Sequence, residues 1–368
     1  MTTTSSATLA IDADAHLVET AETWEHYDLS SMRQSKAEQA LFPGDLGGQL
    51  DNTVIPAVAD PYGDPSGERW FIAGMVRGKR MPSSLPGIPN VNDIETRLSW
   101  MSQQGISVQV VYPTIFMEQV SNRPHIEVPI VWAYISWAAQ ICKASEGRLR
   151  WICPVSVLSI PDALEQIRFG KENGACGVLL APIHGDMLLE EAHFFPIYEE
   201  AARLGMPICI HAGNANPAMT ELLGQDNPGA SFWQYKISIT AAFQTFLTSG
   251  IPHQFPGLRT GFFGAGAQGL IYPLGEWSRR LRADSPEKDS NPMEGRNLWV
   301  TLAGHDDIGY MVKRLGSDHL LLGTEFGHTN GESALRALRK ALADGEITQE
   351  TYEKIVWHNP RAFYGFED

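Results

Sequence analysis

Eight short apolar runs recur along the 368-residue chain, and stretches with helical periodicity lie between them. The runs cover residues 8–14, 107–113, 151–157, 176–182, 206–212, 258–264, 298–304 and 319–325. Strands that alternate with helices in this way form parallel βαβ units. Eight such units in about 320 residues predict an α/β fold of the (β/α)8 TIM barrel type.

The stretches between the runs support this interpretation. Amphipathic segments at 93–105, 162–174 and 195–205 each end in a glycine, a residue that commonly terminates a helix. A doubly wound open sheet has the same alternation of strands and helices and is the alternative architecture. No G-x-G-x-x-G sequence follows the first apolar run, which favours the barrel.

Residues 30–92 interrupt the rhythm between the first strand and its helix. The segment is rich in Pro, Gly and Asp and is too long for an ordinary βα loop. We predict a single barrel domain over residues 1–368, with 30–92 inserted as a lid over the barrel mouth. Trp70, Phe71 and Ile72 favour packing of this segment, and a partly disordered surface loop is the alternative.

Charge and composition exclude several classes of function. The formal net charge is −15 and the one basic run, at 77–80, is short, so we expect no nucleic-acid partner. No apolar stretch reaches about 18 residues and the N-terminus lacks a leader pattern, so we expect a soluble cytoplasmic protein without membrane contact. The four cysteines stand singly in apolar runs, which predicts buried free thiols.

Side chains that can bind a metal stand where three of the predicted strands end. In a TIM barrel the carboxyl ends of the strands form the active site. Asp14 and His16 end strand 1, His211 ends strand 5, and Glu325 ends strand 8. Two imidazoles and two carboxylates suit Zn²⁺, Mn²⁺ or Fe²⁺. In the alternative interpretation, Asp12 and Asp14 cap a loop and His16 is a polar residue of the rim.

Further polar residues are expected near the barrel mouth. They are His184 after strand 4, His305 after strand 7, and Arg123, Asn214, Trp233 and Lys236 in other loops. Arg123 or Lys236 could hold a substrate carboxylate, and Trp233 could stack on a ring. The alternatives are polar loop histidines, solvated surface cations and a core tryptophan.

Five motifs occur in the order found in one enzyme superfamily. They are DAH at 14–16, HAG at 211–213, FPGLR at 255–259, GTEFGH at 323–328 and NPRAFYG at 359–365. On these motifs the chain resembles the amidohydrolase superfamily, in the branch that includes aminocarboxymuconate-semialdehyde decarboxylase and γ-resorcylate decarboxylase. The resemblance covers essentially the whole chain.

The resemblance implies a metal-dependent enzyme that decarboxylates a small aromatic or enol-like carboxylate without oxidation. A homodimer is a further expectation that rests on the resemblance alone. A hydrolase that cleaves a C–N, C–O or C–C bond with a metal-activated water would use the same ligands and is the alternative. A barrel that binds ligands without catalysis is the third interpretation.

Several positions depart from the pattern of the superfamily. Asp14 replaces the usual His or Glu, Glu325 the usual Asp, and Gly327 the usual Pro. Gly264 aligns with a strand-6 His or Glu that members often use as a ligand or acid/base, so no such role is carried to strand 6. Strand 4 ends without the bridging Lys or Glu of binuclear members, which favours one divalent metal, with zinc or manganese preferred and iron as a further candidate.

We therefore expect the residue that transfers a proton to lie outside strand 6. Glu325, His328, His184 and His305 are the candidates. We favour Glu325, because its extra methylene allows one oxygen to contact the metal while the other faces the substrate.

Overall fold

The central sheet of the protein has eight strands. The computed structural model describes residues 9–26, 54–59, 68–72, 75–79, 85, 88, 90–223, 232–281, 285 and 291–367. The strands are β1 (Ala10–His16), β2 (Ile106–Tyr112), β3 (Leu149–Pro154), β4 (Ala175–Leu180), β5 (Ile208–His211), β6 (Thr260–Phe263), β7 (Leu298–Leu302) and β8 (Leu320–Leu322). Their order in the sheet is their order along the chain, and every neighbouring pair is parallel.

The sheet closes where the segment after β8 returns to β1. The N–H of His16 donates to the carbonyl of Phe326 at 2.6 Å, and the N–H of Glu325 donates to the carbonyl of Asp14 at 2.8 Å. Ala15 and Phe326 form a parallel bridge at this seam. The predicted (β/α)8 barrel is therefore confirmed, and the open doubly wound sheet is excluded.

A β-bulge lies in the half of β1 that carries the polar side chains. Asp12 pairs with Gln109 and Ala15 pairs with Val111, so three steps along β1 match two steps along β2. Bulges change the direction of side chains and are frequent beside active sites. Asp12, Asp14 and His16 are all buried inside the barrel.

Helices follow the strands around the barrel. They are α1 (Ile94–Gln104), α2 (Pro124–Lys143), α3 (Ile160–Glu172), α4 (Phe195–Arg203), α5 (Pro217–Leu223), α6 (Ser238–Thr248), α7 (Ile251–Gln254), α8 (Ile271–Arg280), α9 (Pro292–Gly295), α10 (Ile308–Leu315), α11 (Glu332–Ala343), α12 (Gln349–Glu353) and α13 (Asn359–Tyr364). Short 3-10 helices span Ala21–His26, Ile115–Met117, Ala192–Phe194 and Gln268–Leu270, and π-helical turns span Phe232–Ile237 and Lys354–His358. Within the described residues, no helix has the combination of length and apolarity that crossing a membrane requires.

The ends of α1 illustrate how the sequence fixes these helices. The Asp93 carboxylate accepts a hydrogen bond from the N–H of Thr96 at 2.8 Å, which caps the first turn. Gly105 adopts the left-handed conformation, with φ +73°, and its N–H donates to the carbonyl of Met101. A residue with a Cβ adopts that conformation at a cost, so glycine marks the end of the helix.

The apolar side chains of the strands and helices pack into one core. All four cysteines are buried and free, as predicted. Burial raises the pKa of the Cys142 thiol to about 12, so this thiol stays protonated.

The chain forms a second, smaller sheet between β1 and α1. Its three antiparallel strands, Val54–Ala59, Glu68–Ile72 and Met75–Lys79, lie in that order. Most of the predicted insertion 30–92, including the side chains of Trp70, Phe71 and Ile72, lies outside the described residues. Its role as a lid stays a prediction.

Candidate metal centre

Four side chains from three strand ends meet inside the mouth of the barrel. Asp14 and His16 come from β1, His211 from the end of β5, and Glu325 from the segment after β8. The Nε2 atom of His211 lies 3.3 Å from Asp14 Oδ1, and the Nε2 atom of His16 lies 3.7 Å from the same oxygen. His16 Nε2 also lies 3.4 Å from Glu325 Oε2.

Backbone carbonyls fix the orientation of both imidazoles. His16 Nδ1 lies 3.3 Å from the carbonyl oxygen of Pro113, and His211 Nδ1 lies 3.1 Å from that of Ala212. A carbonyl can only accept, so in both rings Nδ1 carries a proton, and in the neutral ring Nε2 presents its lone pair. This second contact is typical of histidines that bind a metal. Burial opposes protonation of His211, but the Asp14 carboxylate outweighs it and raises the pKa of this ring.

The lone pairs converge without a partner. Asp14 Oδ1, His16 Nε2 and His211 Nε2 are buried, and none of them has a hydrogen-bond partner among the described residues. The three atoms lie within 4.8 Å of one another. Buried acceptors that face each other are costly unless a donor or a cation lies between them. Two imidazole nitrogens and a carboxylate oxygen are a donor set that fits a divalent transition metal.

Glu325 and His328 form the outer side of the same cluster. His328 Nδ1 lies 3.5 Å from Glu325 Oε2, and the His328 ring stacks on His16 with centroids 3.7 Å apart. With His16 they form a second group whose ligand atoms lie within 4.8 Å of one another. The side chains of Glu325 and His328 are 26% and 25% exposed, whereas Asp14, His16 and His211 are closed off from solvent. The cluster therefore has a buried floor and an accessible edge.

The electrostatics follow from this burial. Burial lowers the pKa of His16 to about 3, so its ring is neutral and able to bind a metal. Burial raises the pKa of Asp14 to about 7, and the nearby Glu325 carboxylate adds to that effect. Burial also opposes ionisation of Glu325, but the rings of His16 and His328 outweigh it and lower the pKa of that carboxyl well below its usual range.

Gly264, at the end of β6, contributes backbone groups to the site. Its N–H donates to Asp14 Oδ2 at 3.0 Å. Its φ is +76°, and a Cβ at this position would lie 2.5 Å from His211 Cε1 and 3.0 Å from both ring nitrogens. The position therefore has no room for a side chain. It cannot carry the His or Glu that members of the superfamily often place on strand 6.

The two loop histidines lie outside this cluster. His184 Nε2 accepts a hydrogen bond from the N–H of Ala181 at 3.0 Å, and burial lowers the pKa of this imidazole to about 3. His305 is exposed, and the helix that follows it is capped by Asp307, whose carboxylate accepts from the N–H of Tyr310. Neither histidine belongs to a metal-binding group of the described residues.

Of the three residues predicted to contact a substrate, Arg123 and Trp233 are exposed and Asn214 is buried. Arg123 is exposed at the start of α2. Asn214 is buried, and its side chain is bound within its own loop by Thr220 and the N–H of Asn216. Trp233 is 53% exposed, so it is not a core residue.

A buried polar network beneath the cluster was missed by the sequence analysis. Asp12 accepts hydrogen bonds from the N–H and hydroxyl of Thr324 at 3.0 and 2.5 Å and from the Gln109 amide at 2.8 Å. Arg97 donates to Gln109 Oε1 at 2.8 Å and to the carbonyl of His16 at 2.9 Å. Asp12 is thus a link between β1, β2 and the segment after β8. Gln109, a polar residue inside an apolar run, was the signal that could have revealed it.

Comparison with known proteins places the chain in a class. A family model described as amidohydrolase matches residues 11–262. The chain therefore belongs to the amidohydrolase family.

Within that family, the relatives include decarboxylases. The chain is 20% identical over 291 residues to 2-amino-3-carboxymuconate-6-semialdehyde decarboxylase from Dictyostelium discoideum. The matched region covers 76% of this chain and 78% of that protein. An amidohydrolase from Mycobacterium avium subsp. paratuberculosis has a similar structure, with a TM-score of 0.73, 17% identity and coverage of 98% and 99% of the two chains. The 5-carboxyvanillate decarboxylase of Novosphingobium aromaticivorans, complexed with manganese and 4-hydroxy-3-methoxy-5-nitrobenzoic acid, has a TM-score of 0.67, 16% identity and coverage of 98% and 97%.

Proposed function

We propose that the protein is a metal-dependent decarboxylase that releases CO2 from a small aromatic or enol-like carboxylate. The observation that carries this proposal is the buried set of unpartnered lone pairs on Asp14, His16 and His211. A divalent cation would satisfy all three. The decarboxylases among the relatives support this class of reaction.

Asp14, His16 and His211 would hold one divalent cation, with Glu325 as a fourth ligand. Manganese and zinc are the preferred ions and iron is a further candidate, since all three accept imidazole and carboxylate ligands. Manganese is the ion in the 5-carboxyvanillate decarboxylase structure. When bound, the cation supplies Lewis-acid chemistry, attracting an anionic substrate oxygen and stabilising negative charge that develops on oxygen.

We propose that Glu325 and His328 transfer the proton that replaces CO2 on the substrate carbon. They form the accessible edge of the cluster, where a substrate would arrive, and their 3.5 Å separation permits exchange of a proton. Because Glu325 is ionised at rest, it first takes up a proton through His328 and then delivers that proton to the carbon that carries the carboxylate. The bond between that carbon and CO2 then breaks, its electron pair stays on the carbon framework, and CO2 leaves.

His184, His305 and Asn214 receive no part in this chemistry. His184 and Asn214 use their polar atoms inside their own loops, and His305 faces solvent. We assign these three residues to loop structure. Arg123 likewise receives no contact with substrate.

The test is incubation of manganese-loaded and chelator-treated protein with 2,6-dihydroxybenzoate and 5-carboxyvanillate in D2O. We expect CO2 release only from the loaded protein, with one deuterium at the carbon that lost CO2. His211→Ala should lose both metal and activity, whereas His253→Ala, an exposed control on α7, should keep both. A chelated protein that is fully active would contradict the proposal. Hydrolysis of esters or amides with uptake of ¹⁸O from water would favour a hydrolase instead.

A further inference from the structure

The backbone at Gly264 connects a proposed metal ligand with a cation. Its N–H donates to Asp14 Oδ2, and its carbonyl accepts from Lys236 Nζ at 2.7 Å. The backbone of Gly264 therefore links the ammonium group of Lys236 to the carboxylate of Asp14. Because a Cβ at position 264 would collide with the His211 ring, no side chain at this position comes between them.

Lys236 reaches this position from the loop that follows β5. It lies in the π-helical turn Phe232–Ile237, next to the start of α6. Isolated π-turns are uncommon and occur often at functional sites. Here the turn directs a lysine from the β5 loop across to the end of β6.

The ammonium has capacity for a further ligand. A lysine has three N–H donors, and one of them is used on the Gly264 carbonyl. The other two make no hydrogen bond to the residues that the structure describes. The side chain is partly buried, so its position is more restricted than that of a lysine on an open surface.

An anionic ligand would need such a cation. The chain carries a formal net charge of −15, and the cluster itself contains the carboxylates of Asp14 and Glu325. Arg123, the other cation considered for this role, is exposed at the start of α2. Lys236 is held at the strand end next to His211 and is the better placed of the two.

We propose that Lys236 binds an anionic group of the substrate by a charge-assisted hydrogen bond, and so selects carboxylates over neutral analogues. This inference rests on the proposed function, because it concerns the same site. It gives Lys236 a binding role that position 264, which has no side chain, cannot supply. The ammonium would contact the ligand next to the Gly264 carbonyl.

The test measures binding without turnover. The probes are 2-hydroxybenzenesulfonate, an anion that cannot lose CO2, and 2-(methylsulfonyl)phenol, a neutral molecule of similar shape. Dissociation constants are measured by calorimetry on manganese-loaded wild type, Lys236→Met and Lys236→Arg, with Lys313→Met on the exposed face of α10 as the matched control.

We expect Lys236→Met to weaken binding of the sulfonate by roughly 10–100-fold, as for loss of a hydrogen bond to a charged group. Binding of the neutral sulfone and the metal content should stay unchanged. Lys236→Arg should retain most of the affinity, and Lys313→Met all of it.

Three results would overturn the inference: equal affinity of wild type for both probes, unchanged sulfonate binding by Lys236→Met, or equal losses for both probes together with loss of metal. The last result would make Lys236 a structural support of Gly264. Because no step requires catalysis, failure of the decarboxylase assignment would leave these affinities interpretable on their own.

Discussion

Glu325 combines an unusual backbone with a position at the edge of the cluster. Its φ is +58°, a conformation that non-glycine residues seldom adopt and that often marks a functional site. This turn after β8 directs the carboxylate towards His16 and His328. The conformation is independent of the charge of the side chain, so a glutamine should adopt it equally well.

Replacing Glu325 with Gln should therefore separate proton transfer from folding. We expect the fold to be kept, metal binding to weaken only partly, and kcat to fall by roughly 10²–10⁴-fold, the usual contribution of a positioned acid or base. Steady-state kinetics and metal analysis test this. His184→Ala and His305→Ala are the comparison variants and should cost much less. Near-normal kcat for the glutamine variant beside an inactive histidine variant would assign the proton to that histidine.

Gly264 is the second residue whose identity the site depends on. In Gly264→Ala the new methyl group would lie 2.5 Å from His211 Cε1, at a φ of +76° that disfavours any Cβ. Displacement of the His211 ring should lower metal affinity by roughly 10–100-fold, as for loss of other contacts that orient a ligand. Metal titration with a competing chelator measures this. Gly250→Ala is the control, because nothing lies within 4 Å of its added Cβ and its φ is −77°; equal affinities of the two variants would contradict the prediction.

At the scale of elements, the sequence predicted the barrel because its information is periodic. Each strand is an apolar run, and helices such as α1 end at a residue with strong conformational preference, Gly105. The positions of Asp14, His16 and His211 at strand ends follow directly from that pattern, whereas Glu325 lies beyond the end of β8. The bulge in β1 and the left-handed Glu325 could not be predicted, since both arise from how the seam closes and leave no periodic signal.

Helix α2 carries a buried carboxyl that couples stability to pH. Glu127 accepts from the N–H of Leu158 at 3.0 Å, and burial raises its pKa from 4.5 to about 8. Below about pH 4.5 both folded and unfolded states are protonated, so the group has no effect there. Between about pH 4.5 and 8 the unfolded chain loses the proton and the folded protein keeps it, so stability falls as pH rises.

Replacing Glu127 with Gln should remove that dependence. We expect the variant to be more stable than wild type at pH 8, by about 1–4 kcal/mol, and nearly equal to it at pH 4.5. Denaturant unfolding at both pH values measures the difference. Glu165→Gln, on the exposed face of α3, is the matched control and should show no such divergence. A gain that is the same at both pH values would indicate a packing effect instead.

At the scale of the whole molecule, the cluster lies across the seam that closes the barrel. Asp14 and His16 stand on one side of the seam and Glu325 on the other, and the backbone bonds of the seam involve these same residues. The Asp12–Thr324 contacts lie directly beneath. The groups that would bind a metal are thus positioned by the closure of the fold itself.

The last prediction concerns that segment. Because it leaves the barrel just after His16, a lid formed by residues 30–92 would wall the substrate pocket without supplying a metal ligand. Replacing residues 27–89 with a short Gly-Ser linker should therefore leave metal stoichiometry unchanged, while KM rises strongly or turnover is lost. If the shortened chain does not fold, a protease site inserted within 30–53 and cleaved in the folded enzyme provides the same comparison, with protease-treated wild type as the control. Unchanged kinetics with an intact metal site would show that the barrel mouth works without this segment, and the lid assignment would be wrong.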